Sequence, residues 1–187
     1  MLETAIRWTG LILIAGAALF GTAVVLFSLK PVMNQALSPG LSLLLLLASV
    51  CLLLAVPLMY VKQANAAGGM GLAGYVLLQM GILFLVVIAA PPLIYPSLNL
   101  APSENVVIFS LGIAFTLGLL LTGIATLQAG VYPRGAALLL LGATAGFFFA
   151  FFIAEFLPAG AGQLGSALFA VLLALALAWI GLSMWTK

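Results

Sequence analysis

The segment Gly135 to Leu157, GAALLLLGATAGFFFAFFIAEFL, carries one ionisable side chain, Glu155, in 23 residues. As an α-helix rising about 1.5 Å per residue it is about 34 Å long, enough to cross a hydrocarbon core of about 30 Å. A chain holding such a segment folds in lipid or hides the segment inside a large soluble core. Composition decides between the two: only 4% of the 187 residues are charged and 66% are hydrophobic. A water-facing surface needs far more charge than that. The sequence therefore describes an all-α polytopic membrane protein.

Cutting the chain at its proline, asparagine and glycine clusters and at its sparse charges predicts six transmembrane spans. They run from about Trp8 to Leu29, Leu41 to Val61, Gly71 to Ala90, Asn105 to Leu127, Gly135 to Leu157 and Gln163 to Trp185. The whole chain, 1–187, reads as one domain. The run behind Arg7 is longer than the apolar core of a signal peptide and is expected to stay as the first span. Inner connections such as Gln63 to Met70 and Gln128 to Pro133 are short, whereas two of the outer ones, Lys30 to Gly40 and Pro91 to Glu104, are longer and carry proline.

In this arrangement Arg7, Lys62, Arg134 and Lys187 fall on one side, and Lys30, Glu104 and Glu155 on the other. Basic residues mark the cytoplasmic side, so both termini are expected there. Gly74 and Gly81, Gly135 and Gly142, and Gly10 and Gly16 recur at similar spacing ahead of Pro96, Pro158 and Pro31. That spacing suggests three repeated helical hairpins.

Gly142 and Gly146 form a G-x-x-x-G pair, which lets another backbone approach closely where lipid offers no hydrophobic drive. Gly16, Gly21, Gly81 and Gly112 are expected to pack helices in the same way. At about 100° per residue, Phe149 and Ile153 share the glycine face, while Phe148, Phe151, Phe152 and Glu155 lie opposite. The phenylalanines from Phe147 to Phe156 are expected to face lipid or fill gaps; the sharper reading is an aromatic platform for a pigment, quinone or sterol.

Few residues carry chemistry. Glu155 sits near the end of its span, where it serves as an interfacial acid pairing with Lys30, as a partner contact, or as a proton or cation site. Gln79 lies near mid-membrane and must find a partner, for which Thr116, Thr122 and Ser49 are at suitable depth. Pro57 frees a backbone carbonyl one turn before it. Lys30, Asn34, Gln35, Tyr95, Asn99, Glu104, Asn105 and Glu155 form an outer polar set that could line a shallow mouth. Trp8, Tyr60, Tyr95, Tyr132, Trp179 and Trp185 suit interfacial anchoring.

The sequence has no histidine, and its three acids all lie away from mid-span. No cofactor, metal or catalytic set is expected. Cys51, the lone cysteine, reads as an inert thiol in an apolar run. A net charge of +2 suggests neither nucleic acid nor anionic lipid as a partner.

The turn from Thr126 to Arg134 with the Gly-Ala-Ala-Leu-Leu that follows resembles turns of small bacterial membrane proteins, a resemblance that implies no particular activity. The chain is expected in a plasma membrane, that of a prokaryotic cell. The function expected is a non-catalytic accessory or scaffold subunit that packs against other membrane proteins, itself or ordered lipid. The alternatives are a small transporter or channel for a neutral or apolar solute, using Gln79, Pro57 and the outer polar set, and a lipid- or pigment-binding module.

Overall fold

The computed structural model describes residues 2–29, 38–90, 93, 106–153, 156 and 160–186. Those residues are almost entirely helical. Helix α1 is Leu2–Ser28, α2 is Pro39–Ala89, α3 is Val106–Ala129, α4 is Arg134–Phe148 and α5 is Ala161–Trp185. A π-helical turn, Phe149–Ile153, continues α4. Among the described residues, five helices are long and apolar enough to cross a membrane.

The longest, α2, runs for 51 residues. A straight helix of that length would measure about 76 Å, more than twice a hydrocarbon core. It is not straight. Gly68 adopts φ 56° and ψ −154°, outside the helical region. The rings of Tyr60 and Tyr75 then stack with centroids 5.0 Å apart. Fifteen residues of straight helix would separate them by about 22 Å. The chain therefore doubles back at Gly68 into two arms, 39–67 and 69–89.

This corrects the expected connection from Gln63 to Met70. All of it except Gly68 is helical, because Gln63-Ala-Asn-Ala-Ala67 contains good helix formers and one glycine suffices to make the turn. Helix α1 likewise begins before Trp8, and α3 ends at Ala129, two residues past the expected boundary.

The helices pack as a closed circuit: α1 on α2 and α5, α2 on α3, α3 on α4, and α4 on α5. Contacts through glycine set the close approaches. A Cβ built on Gly10 would lie 2.6 Å from the Gly181 carbonyl oxygen, which brings α1 against the end of α5. One built on Gly81 would overlap the backbone of Phe115, which brings the second arm of α2 against α3. Outward residues are apolar all round, with Leu43, Leu54, Leu83, Leu138 and Leu175 exposed. An apolar exterior suits lipid, so van der Waals packing and interhelical hydrogen bonds must supply the specificity.

The span expected as one α-helix from Gly135 to Leu157 keeps α-geometry only to Phe148. The π turn that follows departs from the 100° spacing behind the face assignment. Phe148 is exposed as expected, yet Phe151 packs inside against Phe84, with centroids 5.5 Å apart. A Cβ on Gly112 would meet the Phe151 ring at 2.6 Å.

Candidate functional site

Three features of the bundle have chemistry to examine: a polar contact midway along it, an aromatic interior, and a polar cluster at one end.

Midway, Gln79 on the second arm of α2 donates its side-chain amide to the Leu53 carbonyl on the first arm, at 3.3 Å. Leu53 is four residues before Pro57, whose ring nitrogen has no hydrogen to give that carbonyl. The expected partners of Gln79 are otherwise engaged or unpaired. Thr116 donates to the Gly112 carbonyl at 2.9 Å and Ser49 to the Leu45 carbonyl at 2.7 Å, each within its own helix. Thr122 is buried and its hydroxyl has no partner, as is true of the Gln79 amide oxygen and the Ser42 hydroxyl. A backbone acceptor was harder to foresee than a hydroxyl, although Pro57 is the signal that points to it.

The interior is filled by phenylalanine. Phe147 contacts Phe115 and Phe169 at centroid distances of 5.0 Å each, and Phe169 contacts Phe20 at 5.6 Å. Phe84 joins them through Phe151. Phe20, Phe84, Phe115, Phe147 and Phe169 are all buried, so α1, the second arm of α2, α3, α4 and α5 meet through one aromatic cluster. Edge-to-face pairs dominate, the arrangement ring quadrupoles favour.

The glycines named from the sequence sit at several kinds of contact. A Cβ on Gly146 would come 3.1 Å from the Phe169 Cα, so α4 and α5 touch there by backbone. On Gly142 it would meet only the Leu172 side chain, at 3.4 Å. Gly142 and Gly146 both line an open apolar groove of about 470 Å³, with Ala145, Phe149, Leu164 and Leu168. Gly16 faces Cys51 and Leu52 on the first arm of α2, and Gly21 faces Ala174 on α5. Gly10 and Gly74, read from the sequence only as marks of a hairpin repeat, also make close approaches, as do Gly118 and Gly181, whose spacing does not set them apart from other glycines.

At one end, Tyr132 in the turn between α3 and α4 is buried and donates its hydroxyl to the Met59 carbonyl at 2.9 Å. This corrects its expected role as an outward interfacial anchor. The turn folds in under the first arm of α2, and burial raises the Tyr132 phenol above its ordinary pKa. Lys62 lies with its ammonium 5.8 Å from the centroid of that ring and donates to the Ser183 carbonyl at 3.4 Å. Beside it, Thr126 donates to the Gln63 side-chain carbonyl at 3.2 Å, both residues buried. Trp8 and Trp185 meet edge to face at the same end, with centroids 6.1 Å apart.

Lys30, Glu104 and Glu155, with Asn34, Gln35, Tyr95, Asn99 and Asn105, lie outside the described residues, as do Pro31, Pro96, Pro158 and Lys187. Comparison with protein-family models, with curated proteins and with solved structures finds no match to this chain.

Proposed function

We propose that the protein is a non-catalytic integral membrane subunit whose outer surface packs against other membrane proteins, a second copy of itself or ordered lipid. The observation that carries this reading is the aromatic interior. Phe20, Phe84, Phe115, Phe147 and Phe169 fill the space where helices from most of the chain converge, the place a solute path would need. Gln79 contributes to it in part, because one N–H of its side-chain amide bonds the Leu53 carbonyl and so ties it to the neighbouring arm.

In this reading the fold-back at Gly68 turns α2 into two crossings, giving six in all. Arg7, Lys62 and Arg134 then mark the cytoplasmic side, and both termini lie on it, in the plasma membrane of a prokaryotic cell.

Two measurements test the proposal. The chain is extracted gently from its own membrane and weighed by native mass spectrometry, where a reproducible larger assembly is expected. The purified chain is also sealed into liposomes and assayed for flux of neutral solutes. Saturable flux by the chain alone would overturn the proposal in favour of a small carrier.

A further inference from the structure

We draw no further inference here: the strongest candidate, the open apolar groove between α4 with its π turn and α5, lined by Gly142, Gly146, Phe149, Leu164, Gly165 and Leu168, has no polar side chain in its lining, and nothing in the structure shows what covers it.

Discussion

The Gln79 amide stands 3.3 Å from the Leu53 carbonyl, the one carbonyl of the first arm of α2 that Pro57 leaves without its helical donor. A proline in a membrane helix exposes an acceptor that lipid cannot satisfy, and a neighbouring helix must answer it. Here the answer comes from 26 residues later in the same chain, after the turn at Gly68.

That relationship sets up a double-mutant cycle. Gln79→Leu should destabilise the bundle by about 1 kcal/mol, the scale of an interhelical hydrogen bond in a membrane. The loss is moderated because the Gln79 amide oxygen, buried without a partner, is removed as well. Pro57→Ala restores a backbone donor to Leu53, so Gln79→Leu should cost much less in that background. Unfolding in detergent, monitored by helical circular dichroism, measures both costs. Equal costs in the two backgrounds would sever the link between Pro57 and Gln79.

The G-x-x-x-G pair should split under mutation. Gly146→Ala drives a methyl against the Phe169 backbone, with Cα 3.1 Å away, and Gly81→Ala drives one into the Phe115 backbone. Backbone cannot move aside as a side-chain tip can, so each should cost about 1–3 kcal/mol. Gly142→Ala meets only the Leu172 side chain at 3.4 Å and opens onto a groove, so it should be close to neutral. Thermal unfolding of the three variants ranks them; a Gly142 cost equal to that of Gly146 would contradict the geometry.

Gly68 and Gly69 are neighbours with nothing within 4 Å of a built Cβ, so space does not distinguish them. Backbone conformation does. Gly68 has φ 56° with ψ −154°, a region that L-residues with side chains avoid, and Gly68→Ala should cost about 1–3 kcal/mol. Gly69 lies in the helical run, and Gly69→Ala should be neutral or stabilising by up to about 1 kcal/mol. The same unfolding assay separates them, and the stacking of Tyr60 on Tyr75 gives a near-ultraviolet signal for the fold-back itself.

What the sequence made legible was what length and polarity decide alone. Apolar runs announced helices that suit a bilayer, and Gln79 with Pro57 announced two unmet hydrogen-bonding needs. That each meets the other's depends on the register between two antiparallel arms, which no local pattern specifies. The same holds for Gly68, one of several glycines between Lys62 and Tyr75 and the only one of them to leave helical conformation. The π turn after Phe148 escaped notice because five apolar residues read alike in either helical geometry. Tyr132 looked like a membrane anchor because a tyrosine beside a proline turn usually is; only the turn's inward fold buries it.

Tyr132 gives the bundle a pH dependence with a defined sign. Burial holds its phenol neutral above the ordinary value of 10.0, while the unfolded chain releases the proton near that value. The unfolded state therefore binds fewer protons than the folded one as pH rises past about 10, and stability falls with pH there. The contribution is complete below about pH 10 and is lost progressively toward the raised folded pKa. Tyr132→Phe should cost about 1 kcal/mol at neutral pH through the lost bond to the Met59 carbonyl. It should also flatten the fall in stability above pH 10. Every other side chain is kept in both proteins, so the difference between their curves reports the phenol. Parallel curves for wild type and Tyr132→Phe would mean that the ring is not buried in the folded state.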